Sequence, residues 1–342
     1  MNSEAFMKRY LGISAWAVAL LLSACSSVNT LYFDQLEAAD VSFPEVVRKV
    51  GIINNMPEII GGEEELSQTA GILEGNGKVV AETLAQEIAA THYFDEVVIC
   101  DSALCNLKVS LKNHQGVKDE WQGNILSASV AGEWLDKLGV DMLLSVERVR
   151  IELKEGTVMS ELMPVVDGYI SSVLRMYVPE RSKPIMRINK QDSIYWRPGR
   201  SLTFTKIVKE SSEFAASALV SYMIPSWKEV ARNYYDGGSV EMRDAGVYVR
   251  EHNWEGAYLL WKKVYDTKKG KQKMRAAFNL ALYHEMQGDF EQAKTYIEAA
   301  SELVKPETED AVLIRSYQVQ LDAFAKKYQR LRIQMSRFDV KE

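Results

Sequence analysis

Met142, Leu144 and Val146 alternate along one run, and Val149, Ile151 and Leu153 alternate after them, one residue out of phase. A slip of one residue inside an alternating run is what a β-bulge produces. Asp141 to Lys154 is therefore expected to be one long, bulged strand. Shorter signals surround it. Val47 to Asn54 reads as a strand ended by Asn55 and Pro57. A helix should start at Asn76, a good cap, and run to about Ala90, with Val79, Leu84 and Ile88 on its apolar stripe. Glu96 to Cys100 is the next strand, and a second helix from about Ile125 to Leu138 closes on Gly139. Tyr169 to Val178 and Ile185 to Trp196 read as two more strands. The order is strand, helix, strand, helix, then three long strands suited to antiparallel pairing. The expected class is α+β: an α/β domain over residues 46–205, a mixed sheet with helices and long antiparallel strands, followed by an all-helical domain.

The order of elements, with Gly139-Val140-Asp141-Met142-Leu143-Leu144 after the second helix, resembles two bacterial envelope domains. One is the α/β domain of the curli secretion-channel lipoprotein, and the other is the N-terminal domain of the Tol-system translocation protein. The curli likeness implies an export or assembly role. The chain lacks convincing lipid-facing hairpins, which counts against a pore. The glycine-rich stretch from Glu58 to Gly77 does not make a phosphate loop, because Ile72 stands at the first glycine and Val79 at the magnesium-binding hydroxyl.

Beyond residue 205 the pattern is helical. Connecting helices are expected over 206–236, with Ser226 capping a helix from Trp227 to Tyr235, and Gly237-Gly238 as a joint. Two segments then align 36 residues apart: Asn253-Trp254-Glu255-Gly256-Ala257 and Asp289-Phe290-Glu291-Gln292-Ala293. Trp261 with Ile297, and Val264 with Ala300, extend the match. This resembles the tetratricopeptide repeat, whose period is about 34 residues. The second unit matches better; in the first, His252 replaces the turn glycine. Two units are expected over 237–306, with a capping helix and tail over 307–342. The resemblance implies a concave face made by the first helix of each unit. Arg250, Arg275 and Asn279 map to that face. Arg275 with Asn279 could hold a peptide backbone or terminal carboxylate, or the face could be solvated or packed within the molecule. Trp254, Trp261 and His284 map to packing positions between helices.

At the start, Lys8-Arg9 precedes an apolar run of about 13 residues, Tyr10 to Leu22, too short for the roughly 20 that span a bilayer. Leu22-Ser23-Ala24-Cys25 follows, and resembles the lipobox of bacterial lipoproteins. The resemblance implies a signal peptide over 1–24, acyl chains on Cys25 and a lipid bilayer as partner, with 25–45 as a tether. Ser26 and Ser27, with no acidic cluster, favour the periplasmic face of the outer membrane. Cys100 and Cys105 are close enough in sequence for a disulfide, or stand as two separate buried thiols. The formal charge of −6 argues against nucleic acid as a partner.

No metalloprotease His-Glu-x-x-His, no Gly-x-Ser-x-Gly and no dinucleotide fingerprint occurs, and His92, His114, His252 and His284 are scattered. No catalytic residue, metal or cofactor is expected. The whole order of lipobox, α/β domain and repeat resembles lipoproteins of Bacteroides-type bacteria, a family label that brings no activity with it. The expectation is a non-catalytic envelope scaffold whose repeat face recruits a protein. A subunit of an export or assembly complex, with possible self-association, is the alternative, and an envelope hydrolase stands behind both.

Overall fold

The computed structural model describes residues 27–60, 71–100, 108–110, 124–158, 163–199 and 202–338. Cys25 and Cys105 lie outside them. The chain forms two compact units, each discontinuous in sequence: Ala38–Ser226 with Leu331–Glu342, and Met1–Glu37 with Trp227–Arg330. The first described element, β1 (Val28–Glu37), belongs to the second of these.

The first unit is built on a mixed sheet. Strand β2 (Lys49–Asn54) lies between β5 (Glu96–Cys100) and β7 (Met142–Val158), parallel to both. A strand covered on both faces needs apolar residues at successive positions, and Ile52 and Ile53 are both fully buried. Strand β7 continues into an antiparallel series with β8 (Met163–Tyr177) and β9 (Met186–Trp196). The short β4 (Gly71–Glu74) pairs antiparallel with the far half of β7, and β3 (Glu58–Ile60) with β6 (Lys108–Ser110) forms a separate parallel pair. The phase slip in β7 is a true bulge: Val146 faces Leu174 and Arg148 faces Val173, so Glu147 is the extra residue.

Helix α1 (Gly77–Ala90) starts where expected, Asn76 accepting from the amides of Lys78 and Val79. It packs with α3 (Phe204–Met223) against one face of the sheet through Val80, Leu84, Ile88, Ile207 and Leu219. Helix α2 (Ala128–Leu138) covers the other face. Leu143 therefore packs with Leu135 and Tyr177, while its neighbour Leu144 belongs to the opposite cluster. Gly139 ends α2 at φ 64°, the left-handed conformation a glycine adopts freely.

The last described residues also belong to this unit. Gln334 bonds the backbone of Ala39 and Val41. Buried Arg337 donates to the carbonyls of Tyr93, Pro44 and Val47, with its guanidinium 4.1 Å from the Tyr93 ring centre.

The second unit departs from expectation first. Ser226–Tyr235, expected as a capped helix, is strand β10, and the expected tether contains β1; the two strands form a two-stranded sheet. They run antiparallel: Asp236 N donates to Ser27 O, Thr30 bonds Asn233, and Lys228 meets Glu37. Long-range pairing overrides the local helix signal of Ser226, in a segment rich in strand-forming aromatics.

Helices α4 (Val240–Arg250), α5 (Trp254–Thr267), α6 (Gly270–Met286) and α7 (Phe290–Glu302) follow as two pairs, and then α8 (Glu309–Met335). The 36-residue offset is structural. Asn253 caps α5 and Asp289 caps α7 by the same side-chain bond, and the residues before them, His252 and Gly288, are both left-handed at φ 57° and 74°. Ala257 and Ala293, Trp261 and Ile297, Val264 and Ala300 are all core residues.

Candidate functional site

A buried polar network lies along α6 of the helical unit. α6 is buried continuously from Ala276 to Leu282, so any polar group there must find a partner. Asn279, fully buried, makes a two-way bond with one residue of β10: its amide donates to Tyr235 O at 2.6 Å, and its oxygen accepts from Tyr235 N at 2.8 Å. Arg275 donates to Gly237 O at 2.9 Å and to the Ser27 hydroxyl at 2.7 Å, and its guanidinium sits over the Tyr235 ring. Arg250 is exposed and lies 3.7 Å from Asp236, which Asn29 also bonds. Arg275 and Asn279 thus bond the chain's own backbone, the alternative in which this face is packed within the molecule, while Arg250 meets only the Asp236 side chain. The β1–β10 ribbon fills the face to which Arg275 and Asn279 were assigned.

Six residues further along α6, buried Glu285 receives Arg232 at 2.7 Å and the Tyr317 hydroxyl at 2.7 Å. Burial and the adjoining carboxylate push the Tyr317 phenol far above its usual range. Tyr235 is pushed up by burial and by its bond to Asp310. Burial would raise Asp310 as well, but the bonds from Lys271 and Tyr235 outweigh it and hold that carboxyl low. Arg232 gave no sequence signal, because the segment around it read as a helix.

His284 is half-buried, stacked on Tyr296, with Tyr258 and Tyr283 edge-on to it. Burial lowers its pKa, against the pull of Asp289 at 3.6 Å. It is a packing residue, as are Trp254 and Trp261.

A second polar surface lies on the sheet unit. Arg150, Glu152 and Lys154 of β7, Tyr169 and Ser171 of β8, and Gln191 and Ser193 of β9 line an open depression of about 440 Å³. They share one side because alternate strand residues do; Ile151, Leu153 and Ile170 point the other way into the core. Bonds from Lys154 and Arg150 hold the Glu152 carboxyl below its usual range, and Lys154 is raised in turn. The Lys154 ammonium also stands 4.8 Å from the Tyr169 ring centre. Tyr169 and Tyr195 are 46% and 61% exposed; the other exposed strand aromatics, Tyr32 at 62% and Trp227 at 69%, belong to the helical unit. Glu152 is thus paired on both sides, with Arg150 and Lys154 each at 2.9 Å.

Deeper in the same unit, the bulge turns Glu147 onto Arg175 and places Arg148 on Glu74 at 2.7 Å, all four buried. Among the described residues no group of three or more His, Cys, Asp or Glu could hold a metal ion. Cys100 is half-buried and its proposed partner lies outside the described residues. Among the described residues no helix is long and apolar enough to cross a membrane.

A family model described as Domain of unknown function (DUF8603) matches residues 47–235, more than half of the chain. The chain belongs to this family. The DUF8603 match begins just before β2 and ends with β10, so the strand that enters the helical unit is part of the family's region. A second model, Domain of unknown function (DUF6340), matches residues 243–323, across α4 to α8. No curated protein matches the sequence. Three solved structures are similar at a low level. A PelC dodecamer from Paraburkholderia phytofirmans is 10% identical over 56% of this chain and 98% of that one, TM-score 0.26. A minor lipoprotein from Acinetobacter baumannii is 9% identical over 52% and 90%, TM-score 0.23. The hypothetical protein CT253 from Chlamydia trachomatis is 10% identical over 50% and 87%, TM-score 0.25. At these scores the likenesses carry no argument.

Proposed function

We propose that this DUF8603 chain is a cell-envelope lipoprotein, held by acyl chains on Cys25 at the periplasmic face of the outer membrane, and that it serves as a protein-interaction scaffold without catalysis. The Leu22-Ser23-Ala24-Cys25 run supports the anchor. The tetratricopeptide likeness of the two helix pairs supports a scaffold, but their inner side is taken by the β1–β10 ribbon. The observation that carries the reading is the contrast between that filled face and the open one. The depression between Arg150 and Ser193, lined by Tyr169 and with Tyr195 exposed on the same strand as Ser193, is an open surface for a partner. Exposed aromatics flanked by charges are the composition of contact surfaces.

Crosslinking and mass spectrometry in native envelopes tests this, comparing the parent with a Tyr169→Ala, Tyr195→Ala form. Loss of the partner crosslinks in the double variant is expected. An unchanged set of crosslinks would remove the sheet face from the account.

A second reading is a subunit of an export or assembly complex. It is favoured by β9, which ends the sheet and has one strand neighbour among those described. Eleven residues of strand edge are a template for pairing with another chain. Symmetric rings in detergent would support it, and a strict monomer at all concentrations would count against it.

A further inference from the structure

From Ser27 to Glu37 the segment expected as a tether is held in the ribbon. Ser27 is fixed by its carbonyl to the Asp236 amide and by its hydroxyl to Arg275. Cys25 is two residues earlier, so chain connectivity keeps its Cα within about 7 Å of that of Ser27 and its sulfur within about 10 Å. On the anchored protein described under Proposed function, on which this inference rests, the membrane begins beside Arg275.

That end of the helical unit has a distinctive charge. Lys268-Lys269-Gly270-Lys271-Gln272-Lys273-Met274-Arg275 carries five cations in eight positions and no carboxylate, within a chain of net charge −6. Lys271 stands one turn of α6 before Arg275, about 6 Å along the axis. Gln272 accepts from the Ser239 amide, which ties the same turn to the strand end that holds Ser27. Lys268, Lys269 and Lys271 are exposed. α6 has neither a side-chain cap nor an acidic residue in its first turn, where both would stabilise it. Asp310 and Asp236 lie in this region and are already bonded, to Lys271 and to Arg250. Asp244 of α4 and Glu251, which follows its last residue, are exposed acids of the same unit.

We propose that Lys268, Lys269 and Lys271 rest on the anionic phospholipid headgroups of the leaflet that holds the Cys25 acyl chains. Asp310 meets Lys271 from one side, and the headgroups supply negative charge to the exposed Lys268 and Lys269 beside it. Basic segments next to a membrane attachment are drawn to such surfaces, and the attraction reaches about one Debye length, roughly 10 Å at 0.1 M salt. The contact turns a flexible lipid attachment into a fixed orientation. The ten residues of β1 then act as a spacer of roughly 30 Å. Its far end is marked by Glu37, against which Lys228 and Lys327 lie.

Amine footprinting of the full-length acylated protein tests this. The protein is reconstituted in vesicles of phosphatidylcholine alone or of phosphatidylcholine with phosphatidylglycerol, and lysine modification is read by mass spectrometry. In the anionic vesicles Lys268, Lys269 and Lys271 should react several-fold more slowly than in detergent, with the protection reversed by high salt, while Lys228 and Lys327 keep their detergent rates. A Lys268→Glu, Lys269→Glu variant, changed only at exposed positions, should stay vesicle-bound and lose the protection at Lys271. Equal reactivity of Lys271 in vesicles and detergent would overturn the proposal, as would equal protection at Lys228. The mass of the N-terminal peptide separates the two ideas. An acylated peptide with unprotected lysines defeats this inference alone, and an unacylated peptide with protein that does not float with vesicles defeats the anchor.

Discussion

Arg232 and Glu285 show how much single residues decide here. Both are buried, and Tyr317 completes the arrangement by donating to the carboxylate. Removing one partner leaves a charge without compensation in a low-dielectric site. Arg232→Met should therefore cost about 3–5 kcal/mol, read as a shift of the urea midpoint for the helical unit; a loss below about 1 kcal/mol, the range of exposed pairs, would contradict the burial of this site. His284 gives a pH signature. Burial depresses its folded pKa, so the unfolded chain binds the proton more readily. Stability is then constant above the ordinary value near 6.5 and falls as pH drops below it toward the lowered folded value. His284→Phe should flatten thermal stability between pH 7 and pH 5.5 relative to the parent. An equal acid loss in both proteins would place the effect on other groups. His252 is a residue whose role was hard to read: it takes the left-handed conformation of the corresponding Gly288, so the repeat position is kept although the glycine is not.

At the level of elements, the β1–β10 ribbon depends on two side chains of α6. Asn279→Ala would leave the Tyr235 amide and carbonyl without partners inside the unit, at a cost of about 2–3 kcal/mol. Hydrogen exchange should then quicken along Val28–Glu37 and Ser226–Tyr235 and stay unchanged in β7 and β8. Unchanged exchange in the ribbon would mean that α6 does not hold it. The elements that sequence made legible are those whose signals are local. The β7 bulge follows from a phase slip within fourteen residues, the start of α1 from Asn76 and the end of α2 from Gly139. β10 was misread because its strand partner is nearly 200 residues earlier, while Pro225 and Ser226 supply a helix signal on the spot. The same distance hid the occupant of the Arg275 and Asn279 face. The residue types announced a clasp for backbone, and nothing nearby in sequence announced whose backbone.

Across the whole molecule, chain order and unit membership differ. Residues 27–37 join the helical unit, and residues 331–338 complete the sheet unit. Arg337 reaches three carbonyls there, so Arg337→Ala should cost about 2–4 kcal/mol, given that hydrogen bonds from charged groups contribute roughly 1.5–3 each and do not add fully. The loss should appear in the near-ultraviolet signal of Tyr93 and Phe94, whose rings pack on that guanidinium. An unaltered melting curve would mean that the tail is not part of the fold. On the function proposed above, the chain is a scaffold attached to its membrane through Cys25, with the Arg150–Ser193 surface of the sheet unit meeting a partner. Intact-mass analysis of the N-terminal peptide from native envelopes tests that account most directly. It predicts a chain beginning at Cys25 and carrying acyl chains; a peptide beginning upstream of Cys25, or Cys25 without acyl mass, would contradict it.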